Sequence, residues 1–256
     1  MTHRRWLQAT LAVACVVASA ARAQSVSDHI AEGNRDRSTR DAASALEAFE
    51  AALAIDANNY DALVNAAECA VELGEFTPNA KHRDSLFRSA EQYARRAVAA
   101  NPSGAEGHFE LAQSLGRTAL SRGPRDRIKY AIEIREQALA ALKIDPQHSG
   151  ALHVMGLWNA EVMRLNGFAR MIAKNFLGGK IFDEANWDLA QTYMERAVAA
   201  DSLRITHRLD LGAVYADRKL RPQATAQFEW IAKAPVTDYN DPHYKDEAAR
   251  RLKDLR

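Results

Sequence analysis

Eight histidines are the side chains of this sequence best suited to acid–base or metal chemistry: His3, His29, His82, His108, His148, His153, His207 and His243. A helix captures a metal through two of them one turn apart, as in H-E-x-x-H, so that both rings reach one ion. No such spacing occurs here. His148 and His153 are five residues apart across a helix start, and His108 and Glu110, two apart, point to different sides of a helix. The chain carries no G-x-S-x-G, no phosphate-binding glycine loop and no Cys-x-x-Cys. Cys69 sits in an apolar helical pattern (Val64, Ala66, Ala67, Ala70, Val71) and reads as a small buried hydrophobe rather than a nucleophile. His153 reads as a locally hydrogen-bonded residue at a hairpin interface, and Trp158 as core. No nucleophile is paired with a base, so the expectation is a non-enzyme with no catalytic residue, cofactor or metal.

The bulk properties agree with a helical, packed chain. Its 256 residues are 47% hydrophobic and 26% charged, enough to bury a full core. Gly and Pro number only 12 and 7, and the abundant Ala, Leu, Glu and Arg lose little freedom in helices. A formal charge of +1 gives no global drive toward nucleic acid.

The first residues read as an address. His3, Arg4 and Arg5 precede an uncharged stretch from Trp6 to Ala21, and Ala21-Arg22-Ala23 resembles a cleavage site. The stretch is shorter than the ~20 residues of a membrane span. Residues 1–23 are therefore expected to be a signal peptide, with the product exported to the periplasm or outside the cell. Cleavage would also remove Cys15, leaving Cys69 without an internal disulfide partner.

From residue 24 onward a phrase recurs: Ala52–Ala57 (ALAIDA), Ala97–Pro102 (AVAANP), Ala141–Pro146 (ALKIDP) and Ala197–Ser202 (AVAADS). Each ends a helical pattern of small or apolar residues at spacings of four and three: Ala45, Phe49, Ala52; Ala90, Ala94, Ala97; Ile134, Ala138, Ala141; Ala190, Met194, Ala197. Each is followed by a helix-start signal: Ser103 with Glu106 as a capping box, then Ser149 and Ser202. Leu211-Gly212, Tyr215, Ala224 and Phe228 follow the tetratricopeptide (TPR) pattern, and Gly33, Ala67, Ala112 and Gly156 fall at the matching small position. A small residue lets the two helices of a hairpin approach, and the aromatic residue of the second is expected to fill the gap to the next hairpin. One hairpin cannot bury its apolar face alone, so the stack is the folding unit.

The expected fold is an all-α α-solenoid of TPR-like helical hairpins over 24–256. Its hairpins are placed at about 26–58, 59–102, 103–147, 148–203 and 204–236. A capping helix follows at 241–255, with Asp241 as its cap and Pro242 in its first turn. Extra residues relative to a standard repeat are assigned around 75–84, 121–127 and 166–186.

Residues from about 145 to 255 resemble the regulator of microtubule dynamics family of TPR-like proteins. The matching stretches are His153–Trp158 (HVMGLW) with Glu161-Val162, Ile172–Gly178 (IAKNFLG), Pro235-Val-Thr-Asp238 and His243–Ala248 (HYKDEA). The resemblance implies a right-handed solenoid that binds protein, and for eukaryotic members an association with microtubules or organelle contacts. An export signal stands where those members carry organellar sequences, so the microtubule role is kept only as an alternative.

In such a stack the first helix of each hairpin lines the inner groove. That surface is expected to carry Asp61, Asn65, Glu68 and Glu72, then Glu106, Phe109 and Glu110, then His153 and Glu161, then Asp210 and Asp217. An acidic groove of this kind would hold a protein or peptide partner with basic groups, less firmly as salt rises. The competing reading is a solvated helix face. An enzyme or transport accessory that holds a small ligand in the groove is the alternative function. Phe168, Met171, Ile172 and Phe176 share one helical face in the 166–186 insertion. They are expected to fold over the solenoid's own groove or to touch a membrane surface peripherally.

Overall fold

The computed structural model describes residues 25–120, 124–165 and 179–255. The proposed signal (1–23) and Phe168, Met171, Ile172 and Phe176 lie outside them. Helices follow one another: α1 (25–38), α2 (Ala42–Ile55), α3 (Tyr60–Glu75), α4 (Ala80–Ala100), α5 (Ala105–Leu120), α6 (Pro124–Ile144) and α7 (Ser149–Arg164). A 3₁₀ turn (Gly179–Asp183) leads to α8 (Trp187–Ala200), α9 (Ile205–Asp217), α10 (Arg221–Lys233) and α11 (Asp241–Asp254). No strand occurs among the described residues. Nor is any of their helices long and apolar enough to cross a membrane.

The recurring phrase has a local cause. Each carries, one residue before its end, an Asp or Asn that caps its helix. Asp56, Asn101, Asp145 and Asp201 donate their backbone N–H to the carbonyls of Ala52, Ala97, Ala141 and Ala197 at 2.8–2.9 Å. Their side chains then accept the N–H two residues on, from Asn58, Ser103, Gln147 and Leu203, at 2.9–3.3 Å. This is an Asx turn, in which a short side chain replaces a missing backbone acceptor. The next carbonyl in every copy also receives a side-chain donor: Ala57 from Arg96, Pro102 from His108 Nε2, Pro146 from Arg196 and Ser202 from Arg208. The turn is thus repeated as chemistry as well as sequence.

Small residues set how closely the helices pack. A Cβ on Gly33 would lie 2.7 Å from the Phe49 ring, one on Gly212 2.5 Å from Phe228, and one on Gly156 2.7 Å from Met194. The large side chain therefore occupies the glycine's space within its own hairpin, not the gap to the next one as the repeat pattern suggested. Gly74 takes Phe87 in the same way, while Ala67 with Ala94 and Ala112 with Ala138 use alanine pairs. Phe49 and Phe228 are fully buried, each worth about 1.5–3 kcal/mol of apolar transfer.

Helices pack against their sequence neighbours, and α3, α5, α7, α9 and α11 also touch in succession. These form the inner layer; α2, α4, α6, α8 and α10 form the outer one. The result is the all-α solenoid expected from the pattern.

Several helix starts differ in detail. His148, not Ser149, caps α7: its Nδ1 accepts the N–H of Ala151. Arg204 precedes α9 without a side-chain cap, so Ser202 serves the preceding turn instead. Ser103 lies in the Asn101 turn, one residue too early to cap α5. Asp241 is the first residue of α11, not its cap; its buried carboxylate accepts from Thr237 and Asp238 and folds the preceding loop against the helix.

Candidate functional site

The inner layer carries the charged residues of the molecule's interior, and they fall into three zones. At the end where the inner helices begin, Asp61 and Glu106 are exposed. Tyr60 bridges their helices by accepting the Gly107 N–H at 2.9 Å. His148 Nε2 lies 3.3 Å from Glu106, and its ring is 4.9 Å from that of Phe109, which packs over Gly150.

In the middle, Arg37 of α1 reaches across to α3. It donates to Asn65 at 2.9 Å and pairs with Glu68 at 2.5 Å. Arg204, from the turn before α9, lies 4.0 Å from Glu68 and 3.0 Å from Asp238. Glu72 has no ion pair among the described residues. Burial, then the neighbouring Glu68, push its carboxyl up to about 7 against the pull of Arg37 and Arg204. Glu110 is only 1% exposed and one of its oxygens has no partner. Burial first, and then Glu68 and Glu106, raise its carboxyl well above the usual range. Cys69 is fully buried, and burial likewise pushes its thiol up, keeping it protonated.

Deeper along α7 and α9, His153 Nε2 and Asp210 are joined at 2.8 Å. Burial alone would raise the Asp210 carboxyl, but that hydrogen bond, with Arg117 and Arg251, outweighs it and holds the group low. The His207 ring lies 4.8 Å from His153. Burial, then His153, Arg204 and His148, push it down to about 2, so it is neutral at any ordinary pH. At the far end Glu161 and Asp217 share Arg164, each at 2.5 Å.

The expected groove residues are thus brought to one layer, but not as a bare acidic surface. Arginines from α1, α5, α7 and the turn before α9 enter it. Glu110 is sealed inside, so it cannot meet a partner in this conformation. Trp158 is core, donating to the Ala131 carbonyl at 2.8 Å and stacking on Phe182 at 5.8 Å. Among the described residues no group of three or more His, Cys, Asp or Glu side chains is placed to hold a metal ion.

Sequence reasoning missed that the two ends of the solenoid meet. Arg40 donates to the Val236 carbonyl at 2.9 Å, and Asn240 to that of Glu72 at 2.9 Å. Tyr244 donates to Glu75 at 2.5 Å, and Glu75 also holds Arg117 at 2.6 Å. Phe76 stacks on His243 with ring centroids 4.3 Å apart. One signal for this was available: inner carboxylates in excess of any local partner require counter-charges from elsewhere in the chain.

The profile of the family described as "Regulator of microtubule dynamics protein 1-3" matches residues 24–256. The chain belongs to this family. Among curated relatives, regulator of microtubule dynamics protein 1 of Bos taurus is 29% identical over 175 residues, covering 66% of this chain and 53% of its own length. The Homo sapiens protein of that name is 28% identical over 171 residues, covering 65% and 53%. The chain spans about half the length of the curated relatives it matches. Among solved structures, a thermophilic TPR protein of Thermus thermophilus superposes with a TM-score of 0.64 at 18% identity, covering 88% of this chain and 99% of that one. The pilF protein of Pseudomonas aeruginosa gives 0.54 at 14% identity, covering 92% and 93%. This member of the family therefore carries its helices in TPR order.

Proposed function

We propose that this chain is a protein- or peptide-binding scaffold rather than an enzyme, and that it takes a basic partner segment at the end where its inner helices begin. The observation that carries this reading is the pairing of exposed Asp61 and Glu106 around Tyr60 and the half-buried Phe109. Carboxylates beside aromatic surface suit lysine or arginine side chains, whose apolar stems pack while their heads pair. The stacked-hairpin fold supports the reading, because rigid inner helices hold such groups in register.

The test is capture of a fluorescent Lys/Arg-rich peptide, compared with its Glu-substituted counterpart. Wild type is expected to retain the basic peptide, and Asp61→Lys with Glu106→Lys to lose it with helical circular dichroism unchanged. Equal retention by the double variant overturns the reading. We further propose that the chain is exported after cleavage behind Ala23; N-terminal sequencing of the protein recovered from a cell fraction decides this.

A second reading is supported by the similarity to the curated relatives named regulator of microtubule dynamics protein 1. Under it the chain associates with microtubules. Saturable co-sedimentation with polymerised tubulin supports this reading, and its absence at saturating tubulin removes it.

A further inference from the structure

Where the first and last parts of the solenoid meet, they border an open cleft of about 290 Å³. Arg37, Ser38 and Arg40 from the first hairpin, Glu72 from α3, and Asp238 and Tyr239 from the α10–α11 loop line it. This volume sits at the lower edge of the ~300–1,000 Å³ of small-molecule pockets, so it suits a ligand of few atoms. We propose that this cleft is a binding site for a small zwitterion of the free α-amino-acid type.

The argument is one of charge. Two guanidinium groups and two carboxylates face the same space, and Arg37 acts electrostatically on Glu72 and Asp238 without an ion-pair contact to either among the described residues. Arg37 spends its contacts on Asn65 and Glu68, and Asp238 on Arg204. Among the described residues the Arg40 guanidinium has the neutral Val236 carbonyl as its one hydrogen-bond acceptor, and Glu72 has no ion pair. The Arg40 guanidinium and the Glu72 carboxyl, neither in an ion pair among the described residues, therefore share one cleft. A lone amine entering would be repelled by Arg37 and Arg40; a lone carboxylate would meet Glu72 and Asp238. A molecule carrying both charges satisfies both sides, its carboxylate toward Arg40 and its ammonium toward Glu72. The half-buried Glu72 carboxyl, pushed up to about 7 despite the pull of Arg37 and Arg204, gains a direct ion-pair partner in the ammonium. Ser38, Thr237 and Tyr239 supply neutral hydrogen-bonding groups around the same volume. This site stands apart from the Asp61 and Glu106 end of the inner layer, so it holds or fails independently of the partner-binding reading.

The test titrates the purified protein with each of the standard amino acids by thermal shift, then with each stabilising one by calorimetry. At least one free amino acid is expected to bind one-to-one and raise the melting temperature. Its N-acetyl form and its methyl ester, each lacking one charge, are expected to bind at least tenfold more weakly. Glu72→Gln and Arg40→Gln, with unchanged circular dichroism, are each expected to lose at least tenfold in affinity. Amide signals that shift on titration should cluster at residues 34–42, 72 and 237–239. The proposal is overturned if no amino acid binds or if acetate or ethylamine binds as well as the zwitterion. Full affinity in both variants, or shifted signals elsewhere, overturns it equally.

Discussion

Buried charge is where single residues decide the behaviour of this protein. Glu72 titrates near 7 in the folded chain but near its ordinary value of 4.5 when unfolded. The folded state therefore holds the extra proton between those values, and stability falls as pH rises through that window. Glu110 acts with the same sign. Glu72→Gln should leave the melting temperature unchanged at pH 4 and raise it at pH 8, by an amount equivalent to about 1–3 kcal/mol. His207 has the opposite sign. Its folded form refuses a proton, so its contribution is complete above the unfolded value of 6.5 and is lost as pH falls below it. His207→Leu should flatten the acid side of a stability–pH curve measured by urea denaturation. The core roles of Trp158 and Cys69 were legible because apolar periodicity is local. The partners of Glu68 were not: Arg37 and Arg204 come from a different hairpin and from a turn, and no short-range spacing joins them.

Helices here are punctuated by two devices, one readable in the sequence and one only partly so. The small residue of each inner helix was readable, because glycine and alanine recur in phase. Gly212→Ala drives a methyl into the Phe228 ring and should cost about 1–3 kcal/mol in thermal denaturation. The direction of the aromatic ring was not readable, since periodicity names a face but not the neighbour that fills it. The Asp or Asn one residue before the end of each phrase was visible as a repeated letter, and its purpose emerges from the Asx turn. Asp145→Ala should lose about 1 kcal/mol, the usual worth of a side-chain cap, while Asp145→Asn should keep most of it. The role of Asp241 escaped sequence reading because a cap and a first helical residue differ by a single position. Only the fold brings Thr237 and Asp238 back to its carboxylate.

Taken whole, the solenoid was legible as a stack but not as a stack whose last turn returns to its first two hairpins. The contacts that do this are few, hydrogen bonds and a ring stack, and they join residues 165–196 apart in sequence. Removing them with Asn240→Ala and Tyr244→Phe should enlarge the radius of gyration in small-angle X-ray scattering, with helical content unchanged. Arrays of this type ordinarily melt by fraying, since each unit knows only its immediate neighbours. A chain whose two extremities are bolted together loses that freedom. Amide exchange in α1 and α11 should then slow in concert rather than independently, so that the molecule unfolds as one cooperative body despite being assembled from repeated parts.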